Sequence, residues 1–594
     1  MDRTTVSVEV TRGDIALDRL SNTSFVAEWE RLRATCAWAT SFQSFAFVDC
    51  WYRLHEQLYE PVIVDGRDDQ GRLVGLLTLA RHRSGRLLVG AGDFHAEYQT
   101  WIANEPAVEP FLRASIDLLE RFYPRGRLRL TYLPPRTPVG WADGDSTWPR
   151  RIHLRSRLGG FMDLSDPTGI EASLRKGHNR NRLNSLRRYG DVRLETIETV
   201  DALMSEIDEI AVLCDLRQGA VNDSLPFTNN PLKRPLHLEL MERGLLHATV
   251  VRVGSTIASA HLDMKNGADV LIYLIAHAPA FARHSPGSLH ILLLARELAG
   301  QGVARYDLSP GGGYKDRYAT NRETVHRMTV QFGFADRIVA DLSGRAVAAA
   351  TTALFAVGRT PRSAQLGVRR LRARAASPFT RRRARAVRND ASVVLQVPDH
   401  ANGAASQRLA LDHPGDLLAY DSGRSGGLPL RRFLQLALHR LEAGHRVLTR
   451  MDGPMLAECW WLCRLDRPPG GRGTADGTDI STASMLLLYD PVMPAQWAGS
   501  EAKPDILDRL VSTLLGIAPA ATTFLAVSAH DVAFVDALVG AGASRIGEVN
   551  LRPVAPSADA RAFGTHVGPG LAPPLEELVI KLASGWPADH PDAT

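Results

Sequence analysis

Cysteine is scarce in this 594-residue chain. There are five, Cys36, Cys50, Cys214, Cys459 and Cys463, an odd and scattered set that makes a poor disulfide framework and suggests a reducing compartment. Cys459 and Cys463 stand four apart, as on one helix face, yet "MLAECWWLCRL" reads better as a buried strand. No His or Cys pair completes a zinc pattern, and no metal is expected. Long apolar runs are also missing. None approaches the length of a membrane-spanning helix, and the opening "MDRTTVSVEVTRGDIALDRL" has no apolar core of signal-peptide type. The default expectation is a cytoplasmic protein. Acidic residues are absent from one stretch, 359–388, which carries eleven arginines. Without those eleven the formal net charge falls from +5 to −6. The basic balance therefore belongs to one segment, and DNA is not an expected partner.

What is present is an ordinary globular mixture, 45% hydrophobic and 23% charged, long enough for three or four domains. Residues 1–150 read as mixed α/β. "EPVIVDG" and "GRLVGLLTLARHRSGRLLVGAG" look like strands joined by Gly turns, "EPFLRASIDLLERFY" has helical periodicity, and "PPRTPVGWADGDSTWP" suits a boundary loop. A second unit, 151–342, holds a basic helix, "IEASLRKGHNRNRLNSLRRYG", and a strand meander with turns at Gly254 and Asn266-Gly267; Asn-Gly is a strong hairpin signal. The Arg-rich linker, 343–390, reads as a solvated helix bridging domains, with peripheral contact to an anionic membrane through 359–388 as the other reading. Apart from Phe379 it lacks the interleaved aromatics of a nucleic-acid binder. The last unit, 391–570, repeats the element order of the second, with a hairpin about Asp452-Gly453. The tail, 571–594, carries one expected helix, "PPLEELVIKLASG".

The second unit ends in the run "YLIAHAPAFARHSPGSLHILLLARELAGQGVARYDLSPGGGYKDRY". A small open turn before an apolar helix offers free N–H groups to an anion. His261, in "TIASAHLDMK", reads either as a packed strand residue or as a base. Arg175, Lys176, Arg180 and Arg182 form a cationic face that reads as solvated or as suited to an anionic acceptor.

The ordered set Ser285-Pro286-Gly287, Gly302, Asp307, Gly313 and Tyr314-Lys315 resembles the GNAT superfamily of acyl-CoA acyltransferases, specifically its CelD/BcsL-like branch related to FemAB transferases. "TSFQSFAFVDCWYRL", "GRLVGLLTLAR", "HAEYQTWI" and "SLRKGHNRNRLNSLRRYG" look like other parts of that branch, and the resemblance spans about 35–340. It implies an α/β fold with mixed α+β sheets: tandem GNAT-like folds, with a third, degenerate GNAT-like domain in 391–570, where His530 stands in place of the usual Asn. It also implies two central strands that splay apart over acetyl-CoA or another acyl-CoA as co-substrate. The pyrophosphate would sit at the turn, with Gly287 allowing close approach, Pro286 fixing the turn, Ser285 and Ser288 adding hydroxyl donors and Arg283 adding charge. Asp307 and Lys315 would flank the reacting groups as proton acceptor and charge stabiliser, or form a structural ion pair. Tyr318 or Tyr314 would protonate the thiolate. The implied enzyme transfers an acyl group, most simply acetyl, to an amine or hydroxyl of a sugar, a polysaccharide precursor or a similar small molecule. The alternatives are a FemAB-like transferase using aminoacyl-tRNA, and a non-catalytic scaffold in polysaccharide or natural-product assembly.

Overall fold

The computed structural model describes residues 5–142, 151–311, 315–333, 391–398, 408–425, 428–465, 475–476, 485–492, 503–518, 521–529, 531–553 and 575–582. The arginine-rich stretch 359–388 and the residues Gly313, Tyr314 and His530 lie outside them. Two compact units emerge. The first comprises Met1–Ile207, Pro231–Ile275 and Gly287–Leu371, the second Asp208–Asn230, Ala276–Pro286 and Arg372–Thr594.

The first unit is built on one thirteen-stranded sheet. Its first half supplies β1 (Ser7–Arg12), β2 (Tyr59–Arg67), β3 (Leu73–His82), β4 (Leu87–Gly90), the short β5 (Ile102–Ala103) and β6 (Arg127–Leu133), with the helix Val108–Phe122 between β5 and β6. Its second half supplies β7 (Ile152–Asp163), β8 (Val192–Ile197), β9 (Leu246–Val253), β10 (Thr256–Asn266), β11 (Asp269–His277), the helix Pro286–Gly300, β12 (Arg305–Pro310) and β13 (Asn321–Gln331). In each half three neighbouring strands lead into a helix that returns to a parallel strand: β4 pairs parallel with β6, and β11 with β12. The order across the middle is β6-β13-β7-β12. β7, the first strand of the second half, pairs with β12, while the last strand, β13, pairs on one side with β7 and on the other with β6 of the first half. This pairing fuses the halves into one sheet and leaves neither parallel strand as an open edge.

Local sequence explains why the helices seat where they do. Gly66 of β2 and Gly75 of β3 are register partners, and Phe111 of the helix Val108–Phe122 rests on both. A Cβ on either glycine would come within 2.5 Å of the Phe111 ring. On the second half, Ile291, Leu294, Ala295 and Leu298 of the helix Pro286–Gly300 pack on Val270, Ile272, Tyr306 and Leu308.

The second unit repeats the motif. Its sheet contains β14 (Ala391–Gln396), β15 (Ala410–Leu411), β16 (Arg446–Asp452), β17 (Met455–Leu465), β18 (Ala475–Asp476), β19 (Met485–Val492), β20 (Thr522–Ser528), β21 (Ser544–Pro553) and β22 (Leu575–Leu582). β16, β17 and β19 are successive antiparallel neighbours, the helix Lys503–Ile517 follows, and β20 pairs parallel with β19. Even the flanks correspond: β20-β14-β21-β22 has the same antiparallel order as β12-β7-β13-β6. The fold is thus mixed α/β, with tandem GNAT-like halves and a third copy of the same motif.

Two segments differ from expectation. The basic stretch forms two helices, Thr168–Arg175 and Gly177–Arg187, because Lys176 is extended (φ −55°, ψ 137°); the Asn179 side chain donates to the Ser173 carbonyl at 2.8 Å, satisfying the end of the first helix. The expected tail helix is the strand β22, where pairing with β21 overrides local periodicity.

Candidate functional site

The parallel pair β11–β12 is short. Its register covers Asp269–Arg305, Val270–Tyr306 and Leu271–Asp307, after which β11 continues to His277 and β12 to Pro310. A bulge follows Asp307 on β12, with Ser309 in the left-handed region (φ 54°). Such strain at a non-glycine residue costs about 1–3 kcal/mol and persists where the surroundings enforce it. Here they do. The Ser309 N–H donates to Asp307 Oδ1 at 2.8 Å, and its Oγ accepts from Lys315 Nζ at 3.0 Å.

The first half completes this lip. Tyr98 is buried and donates its hydroxyl to Asp307 Oδ2 at 2.9 Å; Arg305 reaches the same oxygen at 3.4 Å. Glu97, beside it in sequence, bonds to the Ser309 side chain and faces Lys315. Burial pushes the Glu97 carboxyl up to about 6, against the opposing pull of Lys315 and with help from Asp307. Burial lowers the Lys315 ammonium, opposed by Glu97, Asp263 and Asp307, and raises the Asp307 carboxyl, opposed by Arg305. Asp307 has both oxygens engaged and positions Tyr98 and Ser309. Glu97 is the partly exposed acid.

Beneath the lip lies a fully buried polar chain. The Tyr306 hydroxyl donates to Asp263 Oδ2 at 2.9 Å and lies 3.1 Å from His261 Nδ1. His261 stacks on His290, centroids 4.0 Å apart, and His290 contacts Thr249 and Ser259. The Nε2 of His261 has no hydrogen-bond partner. Burial, with Lys315 and His247, pushes His261 down to about 3, so it is neutral. Burial pushes Asp263 up to about 7, against the Tyr306 hydrogen bond.

The anticipated turn is present as chain geometry. Ser285 is left-handed (φ 52°, ψ 54°), and the helix begins at Pro286. The division between the two units falls between Pro286 and Gly287. Arg283 is exposed and Ser285 buried. Ser288, in the first helical turn, is buried with an Oγ that finds no partner, and that turn contains no acidic residue. Tyr318 packs against the apolar cluster under the helix, and its N–H donates to the Lys315 carbonyl. The structure thus brings Asp307 and Lys315 together at the lip and puts His261 below it.

Glu97, Tyr98, Ser309 and Asp263 were not singled out by sequence. The acids were visible in "HAEYQTWI" and "SAHLDMK", but nothing local shows that a loop of the first half reaches β12. Among the described residues no group of three His, Cys, Asp or Glu is placed to hold a metal ion, and no helix is long and apolar enough to cross a membrane.

Residues 173–319 match the family model described as an acetyltransferase (GNAT) domain. That stretch contains β8 to β12, Asp307 and Lys315, and is similar to a GNAT-type acetyltransferase domain. No curated protein matches. Similar solved structures include FemX, at 9% identity over 53% of this chain and 98% of that one (TM-score 0.37). The structure of L-PGS from Bacillus licheniformis is similar at 12% identity over 54% and 96% (TM-score 0.35). A tandem GNAT protein from the clavulanic acid biosynthesis pathway is similar at 14% identity over 55% and 99% (TM-score 0.35).

Proposed function

We propose that the second half of the first unit is an acyl-CoA-dependent acyltransferase site, with acetyl-CoA as the simplest donor. The observation that carries this reading is the parting of β11 and β12 beside a helix whose first turn is free of carboxylates and holds an unpartnered buried hydroxyl, Ser288. The N–H groups of that turn have no intrahelical acceptor and favour an anion. Gly287 and Ser288 would hold the pyrophosphate, with Arg283, Ser285 and Pro286 preceding them in the chain.

A bound acyl-CoA supplies the acyl group as a thioester and departs as a thiol. The acceptor must therefore lose one proton and the leaving sulfur gain one. Glu97, ionised above about pH 6, takes the proton from the acceptor amine or hydroxyl. Lys315 stabilises that carboxylate and the polar groups beside it through Ser309. Asp307 fixes Tyr98 and the strained Ser309, and His261, neutral and buried, positions Tyr306. Tyr318, next to Lys315, is the hydroxyl assigned to the leaving thiolate. The acceptor is an amine or hydroxyl of a sugar or polysaccharide precursor in the cytoplasm, the preference of the CelD/BcsL-like branch that the sequence resembles.

The test is calorimetric titration of the full chain with acetyl-CoA beside Gly287→Glu, which places a carboxylate in the first helical turn. Micromolar binding lost in the variant supports the reading. No binding by the folded wild type overturns it and turns attention to an aminoacyl-tRNA donor or a scaffold.

A further inference from the structure

The middle of the thirteen-stranded sheet carries a charge arrangement that packing does not explain. β7 and β13 pair antiparallel with Arg155 directly opposite Arg327. Arg157 is two residues along and shares their face. Directly opposed Cβ atoms lie about 5 Å apart and diagonal ones about 7 Å, and like charges so placed repel. All three arginines are exposed. Among the described residues none of the three is paired with a carboxylate, and the nearby acids are already taken. Arg305 holds Glu323 at 2.6 Å, and Arg129 holds Asp93 at 3.1 Å.

The patch is braced from below. Tyr132, at the end of β6, has φ 54°, a conformation that tyrosine rarely adopts. Its hydroxyl accepts from Arg157 Nη1 at 2.9 Å, and its ring centre lies 5.7 Å from the Arg327 guanidinium carbon. The same face leads to the lip of the site. Phe161 follows Arg157 by four residues, roughly 13 Å along an extended strand, and is the register partner of Asp307. Gly159, between them on that face, puts no side chain in the way.

We propose that Arg155, Arg157 and Arg327 form an anion subsite that receives a phosphate or diphosphate group of the acceptor, making the acceptor a phosphorylated small molecule or a phosphate-linked sugar. This rests on the acyl-transfer reading of the Glu97–Lys315 lip. Guanidinium forks match phosphate oxygens in pairs. A diphosphate supplies the multiple negative charge that three unpaired arginines call for, which a single carboxylate does not. The group is carried either by a soluble nucleotide or by a lipid headgroup.

The experiment uses the full chain, its Arg155→Gln/Arg327→Gln double variant and Arg157→Gln. Each is titrated with inorganic pyrophosphate and with uridine diphosphate at low and high salt. Each is also sedimented with phosphatidylcholine vesicles with and without phosphatidylglycerol, and titrated with acetyl-CoA in parallel. The proposal expects wild-type binding of pyrophosphate that weakens at least about tenfold in the double variant and falls with salt, with acetyl-CoA affinity unchanged. Binding of uridine diphosphate that the double variant loses identifies a soluble carrier, and binding confined to the anionic vesicles and lost in the double variant identifies a lipid one; both support the subsite, whereas vesicle binding that the double variant retains belongs to the arginines of 359–388 and counts against it. Equal pyrophosphate affinity in wild type and double variant, or no binding of any probe, overturns it. So does a large loss of thermal stability in the double variant, since relief of like-charge repulsion should leave stability unchanged or higher. Loss of acetyl-CoA binding alone strikes the donor reading and leaves the subsite standing.

Discussion

The two halves of the first unit have the same topology and opposite fates at the same place. In each, a parallel pair of strands is held for three residues and then parts. In the first half the gap is sealed by the chain itself. The Gln99 side-chain oxygen accepts from the Thr131 N–H at 3.0 Å, the Gln99 backbone N–H donates to the Tyr132 carbonyl at 3.1 Å, and the side chain lies so close to Gly90 that a Cβ there would be 2.8 Å away. In the second half no such plug is present among the described residues, and the lip carries Glu97, Ser309 and Lys315. The crossover helices differ in the same sense. Val108–Phe122 has Glu109 in its first turn, paired with Arg113, whereas the first turn of Pro286–Gly300 has no acid. A carboxylate at a helix N-terminus occupies the favourable potential that an anionic ligand would use. The comparison teaches that one topology can close its strand gap in one half and, on the acyl-transfer reading, leave it for a site in the other. The first half became a support, and the loop that seals its own gap with Gln99 also delivers the adjacent Tyr98 and Glu97 to the other.

The sharpest way to break this comparison is to remove the group that the closed half lends to the open one. Glu97→Gln should lower kcat by about 10² to 10⁴-fold, the usual range for a general base, while acetyl-CoA affinity is retained. Because burial lifts this carboxyl to about 6, wild-type kcat should rise with pH through that value, and the limb should vanish in the variant. An unchanged pH profile would remove Glu97 from the mechanism and return the role to Asp307.

Unsealing the closed half should have a smaller effect of a different kind. Gln99→Ala leaves the Thr131 N–H without its acceptor and opens a void against Gly90, a cost of about 1–3 kcal/mol for the unsatisfied group. Thermal denaturation should show the loss, and acetyl-CoA should still bind with a stoichiometry of one. A second binding event in Gln99→Ala would mean that Gln99 alone keeps the first half empty and that Glu109 does not matter.

Much of this frame was legible in the sequence. Ser285-Pro286-Gly287 and Asp307 marked the second half, and the glycine turns at Gly254 and Gly267 are present with φ of 60° and 64°. The third copy was legible as an element order. What could not be read is the strand pairing that joins the halves. Nothing local in "IHLRSRLGG" says that β7 will sit beside β12 and not beside β6, since that depends on which partner leaves fewer edge groups unpaired. Glu97 was hidden for the same reason. Its environment is made by Ser309 and Lys315, more than two hundred residues away in the chain. The break at Lys176 is local, yet the apolar spacing on either side concealed it.

The two halves also differ in how each buries an aspartate, which gives the smallest of the expected effects. Asp65 on β2 is paired with Arg19 at 2.7 Å and Arg67 at 3.4 Å. Asp263 on β10 has a tyrosine hydroxyl, a backbone N–H and a histidine 3.6 Å away that burial keeps neutral. Burial accordingly holds the proton on Asp263 up to about pH 7 in the fold, whereas an unfolded aspartate releases it near pH 4. Between those values the native state binds more protons than the unfolded one. The contribution of Asp263 to stability is therefore complete below about pH 4 and is lost as pH rises towards 7, by at most about 1.4 kcal/mol per pH unit. Asp263→Asn keeps the shape and removes the titration. Urea denaturation of both proteins at about pH 5 and about pH 7 should show the variant gaining on the wild type as pH rises. Parallel pH dependence would mean that Asp263 is ionised in the native state, and the buried chain Asp263–Tyr306–His261 would then carry a charge next to the open half's site.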